Sequence, residues 1–304
     1  MHNALTIDVE DYFMVSAFAD IVSFEDWHRY ESRIENNTYK VLDLLDEYGV
    51  KATFFVLGWV AEHYPEIVGD IHGRGHEIAC HGYNHRLVYK LSPAEFREDI
   101  GKSRTLIEDI TGEPVLGYRA ASYSIIKDSL WALDILIEEG FVYDSSIFPV
   151  HHDRYGIPNA DRFCHEIRRP SGTIREFPMS TLKFRIQNSE FRIPIAGGGY
   201  LRLLPARFIE WGIRRLNEKE KQPAVLYLHP WEFDNGQPRL KGSRLSVFRH
   251  YVNLDTTESK LRRILESFSF APVREVFGVT TGDKNESPFP PAGAGWGIQN
   301  SDMP

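Results

Sequence analysis

The chain has 304 residues and a formal net charge of −8, and its composition is that of an ordinary globular protein. This length can bury a sizeable core in one large α/β domain. The negative charge argues against a general nucleic-acid binder, whose phosphate contacts require clustered lysine and arginine. Two cysteines, Cys80 and Cys164, are too few for a disulfide framework.

Short apolar runs alternate with amphipathic stretches along the first half of the chain. The apolar runs predict four strands, at Ala4–Val9, Lys51–Leu57, Glu77–Cys80 and Val115–Tyr118. Helical periodicity predicts four helices, at Thr38–Tyr48 with Thr38 as its cap, Val60–His72, Pro93–Ile110 after a Ser92–Glu95 capping box, and Asp128–Glu139. Strands that alternate with helices of this length predict a mostly parallel sheet with helices outside it.

The second half of the chain is less regular. Its pattern predicts a hairpin at Leu182–Arg192 and a helix at Thr257–Phe268. From Thr281 onward the composition is proline, glycine and polar residues, which predicts a disordered tail at 281–304.

Three separated fragments carry the residue types that hydrolytic chemistry needs. They are Thr6–Asp11, His81–His85 and Leu226–His229, and each contains or directly follows an apolar run. Arg119 likewise follows a predicted strand. In parallel α/β sheets and barrels catalytic groups lie at the carboxyl ends of strands, so we expect these residues to meet. Each fragment alone is weak evidence, since a histidine pair or an acidic turn is more often only solvated.

The two histidines of the second fragment suggest a metal site. His81 and His85 are four residues apart, so one helical turn would place both imidazoles on one side. Two neutral imidazoles and a carboxylate suit a divalent transition metal such as zinc, with positions left open for water. On an extended strand Asp8 and Glu10 face the same side and Asp11 faces the other.

In this order, the fragments resemble the polysaccharide deacetylases of carbohydrate esterase family four. The resemblance covers roughly residues 4–232. It implies an α/β fold, the distorted (β/α) barrel of the NodB-homology type. It also implies that Asp8 is the base, that Arg119 supports this base and that His229 is the acid. The three metal ligands that it implies are Glu10, His81 and His85.

The sequence departs from the family pattern at two motifs. The usual adjacent aspartate pair is replaced by Asp8-Val9-Glu10, so Asp11 remains an alternative ligand. Arg119-Ala120-Ala121 has alanine where an Arg-x-Pro motif has proline. The aspartate–tryptophan motif that tunes the acid histidine in the family has no assigned counterpart here.

Three further residues are candidates for substrate binding. A backbone N–H near Ser122 and Tyr123 would hold the oxyanion of the reaction. Tyr123 and Trp231 would line a sugar groove through their aromatic faces, and core packing is the alternative for each of them.

Four motifs resemble one subgroup of the family, which occurs with bacterial exopolysaccharide gene clusters. They are Asp8–Tyr12, Tyr143–Pro149, Leu228–Glu232 and Arg249–Leu254. That resemblance implies a short C-terminal extension and association with exopolysaccharide biosynthesis machinery. The expected organisation is a deacetylase domain at 1–232, an extension packed on it at 233–280, and the tail.

The sequence therefore predicts a metal-dependent hydrolase that removes N-acetyl groups from amino sugars of a polysaccharide or its lipid-linked precursor. Zinc is the expected metal, and cobalt and nickel are the alternatives. Two other functions remain open: a same-fold amidohydrolase acting on a non-sugar amide, and an inactive carbohydrate-binding protein of an export system. No signal peptide or membrane-spanning segment is visible, so we expect a cytoplasmic protein, at the inner membrane face if it acts on a lipid-linked precursor.

Overall fold

The computed structural model describes residues 1–187 and 189–280, and strands alternate with helices along its first half. The strands are β1 His2–Val9, β2 Thr53–Val56, β3 Glu77–Cys80, β4 Gly117–Tyr118, β5 Tyr143–Asp144, β6 His165–Arg169, β7 Gly172–Glu176, β8 Thr181–Ile186, β9 Ser189–Pro194, β10 Val225–Leu228 and β11 Ser269–Ala271. The α-helices are α1 Ile34–Glu47, α2 Gly58–His63, α3 Pro65–Gly73, α4 Pro93–Thr111, α5 Trp131–Glu138, α6 Gly199–Leu203, α7 Ala206–Arg215, α8 Arg244–Tyr251, α9 Thr257–Ser267 and α10 Val273–Val276.

The main sheet is parallel apart from one edge strand. Its order is β10-β1-β2-β3-β4-β5-β7-β6, and β6 alone on this path runs antiparallel to its neighbour. Strand β1, which lies between β10 and β2, is buried from Asn3 to Val9. Burial on both faces explains its nearly continuous apolar sequence, which is typical of a parallel sheet covered by helices. The predicted α/β class and parallel sheet are therefore confirmed.

Two irregular segments after β7 and β9 contact β10, the strand at the other end of the sheet order. The Ser180 N–H donates to the Val225 carbonyl of β10 (3.4 Å), and the Val225 N–H donates to Ser180 Oγ (2.8 Å). Further along β10, Gly197 forms a parallel bridge with Tyr227. A Cβ atom on Gly197 would lie 1.8 Å from the Tyr227 carbonyl oxygen, so this approach requires glycine. These contacts close a distorted barrel.

Several element boundaries differ from the sequence prediction. Helix α1 begins at Ile34 rather than at Thr38, which is buried within the helix and does not cap it. The single helix predicted from Val60 to His72 is two helices, because Pro65 disfavours a helical backbone at Tyr64 (φ −136°, ψ 53°). The Ser92 capping box of α4 is confirmed, with the Ser92 and Glu95 side chains bonded to each other's backbone N–H.

The C-terminal part contains elements that the sequence did not predict. Helix α8 is one of them, and the short strand β11 pairs in parallel with the start of β1. Helix α9 was predicted one residue longer than it is. No helix within residues 1–187 and 189–280 is long and apolar enough to cross a membrane. The tail predicted at 281–304 lies outside the described residues.

Candidate active site

The structure brings together the residues that were selected at strand ends. Asp8, His81, Arg119 and His229 lie at or directly after the carboxyl ends of β1, β3, β4 and β10. These strands are parallel and belong to one sheet, so their carboxyl ends share one edge of the barrel.

Glu10, His81 and His85 form the cluster predicted to bind metal. One ligand atom from each lies within 4.8 Å of the other two. Glu10 Oε2 is 2.9 Å from His85 Nε2. His81 Nδ1 is 2.8 Å from the carbonyl oxygen of Arg119. Because a carbonyl only accepts, Nδ1 carries the proton and Nε2 keeps the lone pair that a metal requires.

The histidine pair does not lie on a helix, so the predicted helical turn is wrong. His81–His85 form a loop in which Gly82 and His85 have positive φ angles of 75° and 56°. The N–H of Tyr83 donates to Asp99 Oδ2 of α4 (2.8 Å), which holds the loop in place. The two imidazole rings still approach to 5.4 Å between centroids.

The charge states of the cluster fit a divalent cation. Burial lowers the pKa of His81 to about 4, so its imidazole is neutral at physiological pH, as a metal ligand must be. Burial alone would raise the pKa of Glu10, but His85, His229 and His81 outweigh it and the pKa falls below its ordinary value. Two imidazoles and one ionised carboxylate make a common three-ligand zinc site with open coordination.

Asp8 is held by a buried guanidinium. Arg119 is fully buried, and its Nη1 donates to Asp8 Oδ1 (2.6 Å) and to Thr6 Oγ1 (2.7 Å). Its Nε and Nη2 donate to the carbonyl (3.1 Å) and hydroxyl (2.9 Å) of Ser145. The guanidinium also lies 4.0 Å from the centre of the Phe55 ring. Arg119 therefore fixes the orientation of Asp8 and compensates its charge.

His229 has three carboxylates around it, with Glu10 and Asp8 on the Nε2 side and Glu232 on the Nδ1 side. Its Nε2 is 3.4 Å from Glu10 Oε1 and 4.0 Å from Asp8 Oδ2. Its Nδ1 is 3.0 Å from Glu232 Oε2, which also accepts the His229 backbone N–H (3.0 Å). Burial alone would lower the pKa of His229, but Glu10, Glu232 and Asp8 raise it to about 9. The imidazole is therefore protonated at neutral pH.

Trp231 is buried beside the candidate site, and neither face of its ring is open to solvent. Its side chain is buried, and its ring stacks between His229 (5.2 Å) and His250 (4.1 Å). Its Nε1–H donates to Glu10 Oε1 (3.1 Å). The predicted sugar-stacking role therefore lacks an accessible ring, and the indole instead orients a carboxylate of the metal cluster.

Ser122 and Tyr123 occupy a strained turn beside Arg119. Both have left-handed backbone conformations, with φ angles of 50° and 54°, which residues other than glycine rarely adopt. The Tyr123 N–H donates to the Ala120 carbonyl (3.0 Å), so the Ser122 N–H is the better candidate for an oxyanion donor. The Tyr123 ring is buried and packs on Tyr227 (5.1 Å), which is the core-packing alternative.

Asp11, the alternative ligand, is used by the backbone. Its Oδ2 accepts from the Arg33 N–H (2.7 Å) and Ser32 Oγ (2.9 Å), and its Oδ1 accepts from the Tyr12 N–H (2.8 Å). Both oxygens thus organise the chain ahead of α1, and it is Glu10 that lies in the three-residue cluster.

Sequence reasoning missed two residues behind His229. Glu232 follows His229 by three positions with Pro230 between, a spacing typical of a helix N-terminus whose third residue reaches back to the cap. That signal was present in the sequence. Arg202, which binds Glu232, is 30 positions away and gave no local signal.

Two family models match the chain. Residues 21–135 match the model described as "Polysaccharide deacetylase", and these residues include His81, His85 and Arg119. Residues 145–278 match a model described as "Domain of unknown function (DUF3473)", and these include His229, Glu232 and Arg202. The second match crosses the boundary predicted at residue 232, and the three-part division of the chain stays a prediction.

Curated relatives match the chain over about a third of its length. The chain is 37% identical over 98 residues to a peptidoglycan-N-acetylglucosamine deacetylase of Bacillus cereus, covering 32% of this chain and 36% of that protein. It is 36% identical over 110 residues to the peptidoglycan deacetylase-like protein FGM2 of Gibberella zeae, covering 36% and 32% respectively. The region 21–135 belongs to the polysaccharide deacetylases of carbohydrate esterase family four. The chain spans about a third of the length of the curated relatives it matches.

Several solved structures share the fold over most of the chain. A candidate polysaccharide deacetylase from Mycobacterium smegmatis aligns with a TM-score of 0.56 at 22% identity, over 90% of this chain and 87% of its own. The Bc1960 peptidoglycan N-acetylglucosamine deacetylase aligns with a TM-score of 0.50 at 20% identity, over 92% and 89%. The PuuE allantoinase also has a TM-score of 0.56, at 14% identity over 90% and 87%. The predicted distorted barrel is confirmed, and membership of the exopolysaccharide subgroup stays a prediction.

Proposed function

We propose that this family member hydrolyses the N-acetyl group of an amino sugar within a polysaccharide or its lipid-linked precursor. One observation carries the proposal: an arginine-bound aspartate and a carboxylate-bound histidine lie beside a cluster of two imidazoles and a carboxylate. Those are the parts that amide hydrolysis requires, namely a metal site, a base and an acid. The names of the curated relatives support a sugar acetamide as the bond.

Glu10, His81 and His85 would hold the divalent ion, which we propose to be zinc. When bound, the ion supplies Lewis acidity, which polarises the acetyl carbonyl and lowers the pKa of a water molecule. The family supports metal dependence in general terms, and the cluster in this chain supports the three ligands named here.

Asp8 is the proposed general base. A carboxylate that is to accept a proton must be ionised and correctly oriented before the substrate arrives. Arg119 orients Asp8, since it binds Oδ1 and leaves Oδ2 on the side of His229, 4.0 Å away. The Ser122 N–H is the proposed donor to the oxyanion that develops on the acetyl group.

His229 is the proposed general acid. Its Nδ1–H is engaged by Glu232, so the proton on Nε2 is the one available to the departing sugar nitrogen. Nε2 is within 4.0 Å of both Asp8 and Glu10, so the acid lies close to the base and to one residue of the metal cluster. A protonated imidazole at neutral pH suits this role, because an amine leaves poorly as an anion.

The experiment is an acetate-release screen with metal-free protein. Substrates are N-acetylglucosamine oligomers, peptidoglycan, the host exopolysaccharide and allantoin, each with and without zinc, cobalt or nickel. We expect acetate from at least one of the sugar substrates in the presence of metal, and release about 10²–10⁴-fold slower from the Asp8→Asn variant. The allantoin arm is read out as allantoate, because allantoin has no acetyl group to release. It tests the non-sugar amide alternative, for which the allantoinase likeness shows the fold alone.

Two outcomes would contradict the proposal. Equal release by wild type and Asp8→Asn would remove the base, and no release from any polysaccharide with any metal would favour the inactive carbohydrate-binding alternative. Association with exopolysaccharide machinery and a cytoplasmic location remain predictions of the sequence.

A further inference from the structure

Arg202 is a buried arginine that the proposed chemistry does not use. It belongs to the short helix α6, within the segment that matches the domain of unknown function, and is 2% exposed. A guanidinium cannot lose its charge in a protein, so this depth of burial requires compensation from every side.

The compensation comes from a carboxylate and from one helix end. Arg202 Nε donates to Glu232 Oε1 (2.7 Å). Its Nη1 donates to the carbonyls of His250 (2.7 Å) and Val252 (2.9 Å), and its Nη2 donates to that of Arg249 (3.1 Å). These carbonyls lie at the C-terminus of α8, where intrahelical partners run out and a cation is favoured. Arg202 therefore joins α8 to Glu232.

Glu232 divides its two oxygens between Arg202 and His229. Oε1 accepts from the guanidinium, while Oε2 accepts from both Nδ1 and the backbone N–H of His229. Glu232 is fully buried, so without Arg202 its charge would face His229 alone. A carboxylate held on one side only is free to rotate or to take up a proton, and either change releases the imidazole.

Helix α8 reaches the metal cluster by a second route. The imidazole of His250 stacks on Trp231 (4.1 Å, 12° between planes), and its Nε2 is fixed by Gln237 Oε1 (2.8 Å). Trp231 in turn donates to Glu10. The segment 145–278 thus contacts the acid and one metal ligand through buried side chains, from a single helix end.

We propose that Arg202 is a positioning residue, which fixes the acid His229 through Glu232, and that the segment of unknown function completes the active site. The inference rests on the proposed deacetylation, because it assigns a support to His229, which is the acid of that reaction. It is specific to this chain's arrangement, in which the support for the acid comes from α6 and α8 and does not come from the matched deacetylase segment.

The test separates reactions that need an acid from reactions that do not. The variants are Arg202→Met, Arg202→Lys and Glu232→Gln, assayed with zinc on an N-acetylglucosamine oligomer and on 4-nitrophenyl acetate. The nitrophenolate leaves without being protonated, so its release does not depend on His229. We expect kcat for the oligomer to fall about 10–100-fold in all three variants, as for other supports of functional side chains, with KM and ester hydrolysis little changed.

Arg162→Met is the matched control. Arg162 is a second arginine of the same segment with a largely buried side chain, and it binds Glu220 (2.7 Å). We expect this variant to lose stability without a change in the ratio of amide to ester turnover. A parallel fall of both activities in the Arg202 variants, or an equal change of the ratio in Arg162→Met, would overturn the proposal.

A spectroscopic measurement keeps the test valid if a variant is unstable or the ester is a poor substrate. In protein with nitrogen-15-labelled histidine, the Nδ1–H of His229 should give a low-field proton signal, assigned by its loss in His229→Gln. We expect Glu232→Gln and Arg202→Lys to move this signal upfield and Arg162→Met to leave it. An unchanged signal in both variants would overturn the proposal, whereas a wild type that releases no acetate would instead refute the proposed function.

Discussion

Replacing Trp231 by phenylalanine isolates its contact with the metal cluster. The change keeps an aromatic ring between His229 and His250 but removes the Nε1–H that donates to Glu10 Oε1 at 3.1 Å. A hydrogen bond to a charged acceptor contributes about 1.5–3 kcal/mol. Its loss could therefore lower the equilibrium constant for zinc binding by at most about 10–150-fold. Loss of an outer partner of a metal ligand typically weakens binding about 10–100-fold. We therefore expect zinc affinity to fall by about tenfold or more.

The assay is competition for zinc with a chromogenic chelator at fixed pH, together with KM for an N-acetylglucosamine oligomer. Trp131→Phe is the control, because Trp131 lies on α5 and packs edge-on against Phe96. We expect this control to bind zinc as the wild type does. Unchanged zinc affinity in Trp231→Phe with a raised KM would refute the reasoning and restore the role in sugar binding.

Three further predictions distinguish the carboxylates and the tail. Asp8→Asn should retain metal while turnover falls about 10²–10⁴-fold. Glu10→Gln should instead bind metal more weakly, and excess zinc should partly restore its activity. Elemental analysis of both variants would reveal swapped roles. Asp11→Asn should lower the free energy of unfolding by about 1–3 kcal/mol, since one amide cannot accept all three of its hydrogen bonds; its zinc content should stay unchanged, and a loss would make Asp11 a ligand. Deletion of the residues after Thr281 should leave acetate release within about twofold, as exposed tails usually contribute little; a large loss would mean that the tail serves the site or a partner.

Residues at strand ends were the part of the site that sequence could locate. The apolar runs before Asp8, His81, Arg119 and His229 are strands, and parallel strands bring their carboxyl ends to one edge. The apolar runs were sufficient to locate these strands, because strands that are buried on both faces of a parallel sheet have mainly apolar sequences.

Backbone conformation inside the loops was not predictable in the same way. The i, i+4 spacing of His81 and His85 suggested a helix, but Gly82 permits a left-handed turn and Asp99 holds it from α4. The relevant partner lies 16 residues from the Tyr83 N–H that it binds. A spacing rule considers only the chain's own neighbours, so tertiary anchoring of this kind escapes it.

Buried pairs distant in sequence escaped for a related reason. Arg202 and Glu232 are of residue types that usually lie at the surface, and only the fold shows that neither is exposed. Trp231 is the converse case, since its aromatic ring next to a catalytic histidine suggested a sugar contact. Burial decides both interpretations, and burial is a property of the packed chain.

The charges around the barrel edge show why Glu10 is suited to bind a cation. Three buried carboxylates surround His229, and two of them have a guanidinium: Asp8 has Arg119 and Glu232 has Arg202. Among the described residues, the side-chain partners of Glu10 are imidazoles and the Trp231 indole.

The imidazoles do not provide a permanent positive charge in the way that a guanidinium does. His81 is neutral at physiological pH because burial lowers its pKa to about 4, and His229 must give up its proton in the proposed reaction. A buried carboxylate needs a lasting compensating charge, and a divalent ion shared with two neutral imidazoles supplies it. The arrangement of fixed charges thus supports Glu10 as the metal ligand and Asp8 as the base by an argument independent of the family's motif.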